Sequence, residues 1–342
     1  MNCGKVSESV YDRSVYKTIQ TTGYHNEEKR NGAGLGADCA VLDFGEYHVV
    51  QAQGTAFGRD VSLAARSVLE GLNRIAAYGV DLSPQRPVDT RVQISLQISM
   101  AQNMREAKLR AMLDYLTQIT AGLKMPIVQA DVQILPQLDH EAFATAFVTA
   151  STKDELLLQG KAKPQQDVVM TKWMALEGTA LLANRKKEEL SARYPLNLVE
   201  EAMGYDKYLS IIPEAAIAAK SDVSAMQVVR DGGIFGGLWL LAEKNGVGLV
   251  IDLKKIAVKQ ETIEVCEFFD SNPYKLLSGG CLLLTSDKGA HLVSELETAG
   301  IPAKIIGRTT ANNDRIVENE EETRFLEPVR EDEIYQVLYK EA

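Results

Sequence analysis

Cysteine is scarce in this chain of 342 residues: Cys3, Cys39, Cys266 and Cys281 are the only four, and no two have C-x-x-C spacing. That excludes a zinc knuckle and a redox dithiol, and in a reducing compartment they are free thiols. Histidine is equally sparse. His25, His48, His140 and His291 form neither H-x-x-x-H nor H-E-x-x-H, so no transition-metal centre is legible. Positive charge is in the minority, with 37 Lys and Arg against 47 Asp and Glu and a formal net charge of −10. Such a balance disfavours nonspecific binding to nucleic acid or to an anionic membrane. No apolar run reaches the roughly 18 residues of a membrane-spanning helix, and residues 1–20 lack the apolar core of a signal peptide. The expected location is cytoplasmic.

What is present is an ordinary globular composition, 45% hydrophobic and 25% charged, in a chain long enough for two domains. In the N-terminal half, Val6, Val10, Val15 and Ile19 predict a helix within 5–20. The glycine-rich, polar stretch 21–36 is a loop, either one that folds over a ligand or a plain connector. Strands are predicted through Phe44 and over 48–53, 88–99, 126–133 and 143–149, with helices over 61–78 and 105–123.

The most informative stretch is 163–184, a βα unit in which Val168–Met170 form a buried strand and Trp173, Leu176, Ala180 and Leu181 recur at helical spacing. Its junction, Thr171-Lys172, sets a hydroxyl, an amine and free backbone N–H groups at a helix start. That arrangement suits an anion, and it equally suits an ordinary polar N-cap. A second glycine-rich element, M-Q-V-V-R-D-G-G-I-F-G-G over 226–237, precedes a helix predicted over 238–245. Its backbone at Gly232 and Gly233 either admits an oxyanion or makes a tight turn. Helices are predicted over 186–203 with a break at Pro195, and over 209–220, 261–269 and 289–299; strands are predicted over 248–253, 281–284 and 300–308. Cys281 opens its strand beside Gly279-Gly280, as a nucleophile or as an inert packing thiol. From Asp314 the chain reads as an acidic, polar tail.

Taken together these motifs resemble the AIR synthase superfamily, which includes the hydrogenase-maturation dehydratase, selenophosphate synthetase and thiamine-monophosphate kinase. The likeness leans to the hydrogenase-maturation carbamoyl dehydratase branch and to divergent AIR-synthase-related proteins of anaerobic bacteria. Members carry G-D-D-A-A-V where this chain has Gly36-Ala37-Asp38-Cys39-Ala40-Val41, and T-T-D where it has Gln51-Ala52-Gln53. Their Asn-Asp pair is Asn73-Arg74 here, and their T-G-D is Gln129-Ala130-Asp131. M-H-D-x-T-x-G-G becomes Met226-Gln227-Val228 followed by Gly232-Gly233, while Asn272-Pro273 through Leu276-Leu277-Ser278-Gly279-Gly280 agrees closely. Two of five acidic positions are thus kept, Asp38 and Asp131, against Ala37, Gln53 and Arg74.

The resemblance implies an α/β (α+β) chain of two domains. The first, 1–150, would close a barrel with its copy in a homodimer; the second, 151–320, would be an α/β sandwich; an acidic tail, 321–342, follows. A ligand is expected between the domains. The implied nucleotide- or phosphate-binding residues are Asp38, Asp131, Arg74, Lys172, Gly232 and Gly233, with Asp38 and Asp131 as magnesium ligands. Arg74 either replaces a cation beside phosphate or is a solvated surface charge. Two functions follow. One is an ATP- and Mg2+-using enzyme that activates an amide or acidic oxygen, in small-molecule or metalloenzyme-maturation chemistry. The other is a non-catalytic protein that binds a nucleotide or phosphometabolite, or assembles with a maturation partner. The dehydratase branch ends in a reactive cysteine, and no cysteine follows Cys281, so that route is not expected.

Overall fold

The computed structural model describes residues 38–339 apart from 140, 154, 158–161 and 321, together with 3, 6, 10–16 and 18. The loop read over 21–36, Ala37, His25 and His140 lie outside the described residues, as does much of the helix read over 5–20, of which a π-type turn spans Tyr11–Tyr16. The chain forms two compact units, Ala37–Leu156, and Leu157–Ala342 together with Met1–Gly36.

The unit Ala37–Leu156 holds one sheet of β1 (Ala40–Phe44), β2 (Tyr47–Gly58), β3 (Arg91–Ala101), β4 (Ile127–Leu135) and β5 (Ala142–Thr152), in the order β1-β2-β5-β3-β4. Only β3 and β4 pair in parallel. Helices α1 (Leu63–Ala76) and α2 (Glu106–Gly122) complete the unit. Strand alternation decides which face they cover. On β5, Ala142, Ala144, Ala146, Val148 and Ala150 are buried, while Phe143 is exposed and Thr145, Phe147, Thr149 and Ser151 are half-buried. The small inner residues let α1 lie very close. A Cβ on Gly54 of β2 would sit 1.9 Å from the Ser67 carbonyl oxygen, and one on Gly71 would sit 2.7 Å from Val148. All but one of the residues of α1 are buried as a result.

Strand β1 begins only at Ala40, opposite Gln51, so β2 beyond Gln51 lacks a partner on that edge. Helix α1 supplies the missing partners. Thr55 N–H donates to the Glu70 carboxylate at 2.6 Å, and Arg74 donates to the Gln53 carbonyl at 2.9 Å. The opposite face stays open, with Leu42 (52% exposed), Phe44 (64%) and Phe143 (42%) outward.

The second unit is built on a seven-stranded sheet in the order β12-β11-β8-β10-β6-β9-β7. Its strands are β6 (Asp167–Thr171), β7 (Val223–Val229), β8 (Gly248–Asp252), β9 (Cys281–Ser286), β10 (Ala303–Thr310), β11 (Arg315–Asn319) and β12 (Glu322–Phe325). Its helices are α3 (Leu176–Arg185), α4 (Lys187–Ser191), α5 (Leu196–Met203), α6 (Ile212–Ala218), α7 (Gly233–Asn245), α8 (Gln260–Phe268), α9 (Gly289–Thr298) and α10 (Glu333–Tyr339). Helix α7 sets Gly237 against Val229, and α9 sets Gly289 against Asp167. Alternation along the paired strands puts these contacts on opposite faces, so the sheet is covered on both sides.

Three details differ from the sequence reading. Residues Val223–Val229 are a strand, and α7 begins at Gly233 instead of Leu238. Its glycines lowered the apparent helix propensity, and packing overrides that. The stretch read as an acidic tail from Asp314 carries β11, β12 and α10, because β11 docks in parallel on β8 and buries Val317.

The tight α1–β2 contact generates a prediction. Gly54→Val forces the helix off the strand and lowers stability by about 3 kcal/mol, the upper end of ordinary overpacking costs, in urea unfolding. Gly122→Ala, where an added methyl meets nothing, leaves the midpoint essentially unchanged.

Candidate functional site

Strands β6 and β7 both pair antiparallel with β9, so their C-terminal ends emerge from the same end of the sheet, about 10 Å apart across β9. The Thr171-Lys172 junction and the glycine loop therefore lie side by side. The sequence-derived candidates of this unit come together here.

Lys172 is in the left-handed region, φ 53°, and 8% exposed. Its ammonium contacts Glu214 Oε1 at 2.6 Å and the carbonyls of Ser210 at 2.6 Å and Tyr208 at 2.9 Å. An ammonium has three protons, and three internal acceptors use them. Thr171 Oγ1 accepts from Leu282 N–H at 3.1 Å. Several N–H groups around this helix start are also engaged. Lys172 N–H donates to Pro302 O, Met174 N–H to Ala257 O, Ala175 N–H to Ser278 Oγ and Gly178 N–H to Leu277 O. At these groups the junction is a structural joint held by acceptors of the chain itself. Buried donors must find acceptors, and this protein supplies its own.

The glycine loop follows the same rule with a different acceptor. Gly232 and Gly233 have φ of 74° and 65°, which only glycine adopts at low cost. Gly233 has a second reason: a Cβ there would meet Tyr274 O at 2.4 Å. Gly233 N–H donates to Arg230 O and Phe235 N–H to Tyr274 O. Gly232 N–H donates to a carboxylate, Asp332 Oδ2, at 2.7 Å. Asp332 Oδ1 accepts from Leu277 N–H at 3.0 Å and Ile334 N–H at 2.9 Å. The cradle expected for an oxyanion holds one, and it belongs to the chain itself.

Arg230 locks the loop to α3 by a two-pronged contact, Nε and Nη2 each 3.0 Å from one oxygen of Glu177. With Glu177 3% exposed, this is a buried bidentate ion pair. Gln227, where relatives hold a histidine, is buried in β7 and donates to Val228 O at 2.7 Å. Neither it nor Val228 can move a proton at neutral pH. Cys281 is fully buried, and burial pushes its thiol well above the ordinary value despite nearby Lys172. It has the character of the inert packing thiol.

The remaining candidates lie in the other unit. Asp38, half-buried, precedes β1, where its backbone and that of Cys39 meet the hydroxyl of buried Tyr78. Asp131 is exposed on β4. Three strands separate β1 from β4, on the order of 19 Å along the sheet. Within one chain the two carboxylates cannot share an ion that binds oxygen at about 2 Å, and among the described residues no group of three acidic, His or Cys side chains is placed to hold a metal. Arg74 pairs with Glu70, which is 2% exposed, and with Gln53 O. It finishes the edge of β2, a role neither sequence reading gave it. Of the five acidic positions the resemblance implies, only Asp38 and Asp131 are carboxylates here, and within one chain they do not make a magnesium site.

Sequence reasoning missed Asp332, Glu177, Glu214 and Glu70. Asp332 alone left a local signal, an Asp two residues before an apolar helix turn, the mark of an N-cap. The other three look like ordinary helix-surface charges in the sequence.

Comparisons with known proteins agree with this architecture. Residues 163–318 match the family model described as AIR synthase related protein, C-terminal domain. A Methanocaldococcus jannaschii protein named for hydrogenase expression/formation is 19% identical over 324 residues, 92% of this chain and 90% of its own length. Among solved structures, a HypE–HypF complex aligns with TM-score 0.69 and 16% identity, over 92% of this chain and 99% of that one. Aquifex aeolicus ThiL complexed with AMPPCP and TMP aligns with TM-score 0.68 and 13% identity, over 94% and 98%. Residues 163–318 carry the AIR-synthase-related C-terminal domain, and the chain as a whole shares the fold of these solved structures. Its likenesses include the hydrogenase-maturation, HypE-like branch.

The Lys172 joint is testable. Lys172→Met strands a buried Glu214 carboxylate and lowers stability by about 3–5 kcal/mol in denaturant titration. Adding Glu214→Leu recovers most of that loss.

Proposed function

We propose that this protein is a non-catalytic member of its family, binding a nucleotide or another phosphorylated small molecule and acting in assembly beside hydrogenase-type maturation chemistry. One observation carries the reading. The glycine loop keeps a backbone cradle suited to an oxyanion, while the side chains at the positions of its relatives' acid–base pair, Gln227 and Val228, are buried and non-ionisable. A loop that holds an oxyanion beside non-ionisable side chains supports binding without proton-transfer chemistry. HypE with HypF and ThiL with AMPPCP are the same fold in complex with a protein and with a nucleotide analogue, which favours a maturation partner and an adenine nucleotide. Among the described residues no helix is long and apolar enough to cross a membrane, in keeping with work in the cytoplasm.

The open face of the five-stranded sheet supports a homodimer. Leu42, Phe44 and Phe143 lie outward, and β4 leaves Val128 and Ile134 more than half exposed at a sheet edge. Such a face and edge invite pairing with a second copy. Light scattering after gel filtration is expected to give a dimer, and Phe143→Glu a monomer.

The binding reading is tested by thermal unfolding with ATP, ADP, AMP and GTP, with magnesium or with EDTA. A ligand at about 100 times its Kd stabilises the chain by roughly 2.7 kcal/mol. The expected result is stabilisation that persists in EDTA, with no phosphate released. Magnesium-dependent phosphate release that disappears in Asp38→Ala would instead establish an ATP-dependent enzyme.

A further inference from the structure

The C-terminal stretch from Leu326 to Tyr339 runs across the glycine loop. Leu326 N–H donates to Arg315 O at 2.7 Å. Val329 lies so close that a Cβ on Gly232 would be 3.1 Å from its own Cβ. Asp332, 4% exposed, receives the N–H groups of Gly232, Leu277 and Ile334. At the far end Arg185 donates to the Tyr339 hydroxyl at 3.2 Å and lies 5.1 Å above its ring.

We propose that residues 326–339 are an autoinhibitory strap, with the Asp332 carboxylate seated where a ligand's phosphate would sit, so that strap docking and ligand binding exclude one another. This rests on reading the glycine loop as the phosphate-binding element. The exclusion is steric and electronic at once. One N–H of Gly232 cannot serve two acceptors at full strength, and Val329 fills the space a phosphate would need.

The geometry makes the strap sensitive to pH. Burial pushes the Asp332 carboxyl up to about 7, and nearby Asp231 adds to this, against the lowering pull of its three N–H donors. The groups around it are few. The glycine loop contributes Asp231 and Arg230, the latter held by Glu177 with Asp231 3.6 Å away. Helix α10 contributes Glu333 and Tyr335, whose phenol is pushed up to about 12 by burial and Asp231. The 272–277 segment contributes Tyr274 and Lys275, and Lys275 meets the strap through its carbonyl, which accepts Glu333 N–H at 3.4 Å. Once the strap lifts, Asp332 returns to the ordinary value of 3.8. The docked state then binds the proton more tightly than the lifted state. Docking is strongest at low pH, weakens as pH rises toward about 7 and levels off above it. Between pH 6 and pH 8 it weakens about tenfold.

The experiment uses the full chain. Hydrogen exchange by mass spectrometry follows peptides covering 326–339 and 226–237 at pH 6 and pH 8, corrected for intrinsic rates, and titration calorimetry measures ATP and inorganic pyrophosphate without metal. In the unmodified chain, strap protection should fall about tenfold from pH 6 to pH 8, and ligand affinity should rise by the same factor. Asp332→Asn places an N–H donor near Gly232 N–H, so it should open the strap, raise affinity and abolish the pH dependence. Val329→Ala, which leaves Asp332 in place, should raise affinity while keeping the pH dependence. Protection that is insensitive to both pH and Asp332→Asn overturns the strap. Opening of the strap with equal ligand affinity in all variants overturns the exclusion and leaves the binding reading intact. Opening with no binding of either ligand to any variant overturns the phosphate reading of the loop itself, and the exclusion with it.

Discussion

Two helices of the C-terminal unit, α3 and α7, start side by side at one end of a sheet, and their first N–H groups point into protein. Unpaired, each such group costs about 1–3 kcal/mol. The segment from Asn272 to Gly280 answers part of that need: Leu277 O and Ser278 Oγ serve the start of α3, and Tyr274 O serves α7. Asp332 serves Gly232 and Leu277 together. The closeness of Gly178 to Leu276 and Leu277, the left-handed turns at Lys172 and Ala175, and the Arg230–Glu177 pair all belong to this joint. It is a framework for holding two helix starts, and any ligand must compete with it.

The same logic runs through the other unit. Helix α1 uses Glu70 and Arg74 to complete the edge of β2 that β1 leaves unpaired. A guanidinium at residue 74 needs an anionic partner. Its neighbour Glu70 provides one.

Much of the architecture was legible. The helices over Leu63–Ala76 and Glu106–Gly122, the strand at Asp167–Thr171 and the turn-and-strand from Asn272 through Cys281 follow from local periodicity and turn chemistry. The reading faltered at α7, where four glycines in a helix start look like a loop, and at the last strands, where polar residues at a sheet edge look like a tail. The site was less legible than the fold. Gly232 and Gly233 could be picked out because positive φ selects glycine locally. Lys172 could be picked out but not interpreted, because an ammonium's role depends on what surrounds it.

The sequence by itself determined many of the helices and strands and singled out Gly232 and Gly233, because periodicity and turn chemistry are written in residue type and short-range spacing. Only the tertiary structure decided what the polar groups do. The partners that settle it are 53 residues apart for Glu177 and Arg230, 55 for Leu277 and Asp332, and 100 for Gly232 and Asp332. A buried donor accepts whichever acceptor the packed chain brings within about 3 Å, and no periodicity encodes that meeting.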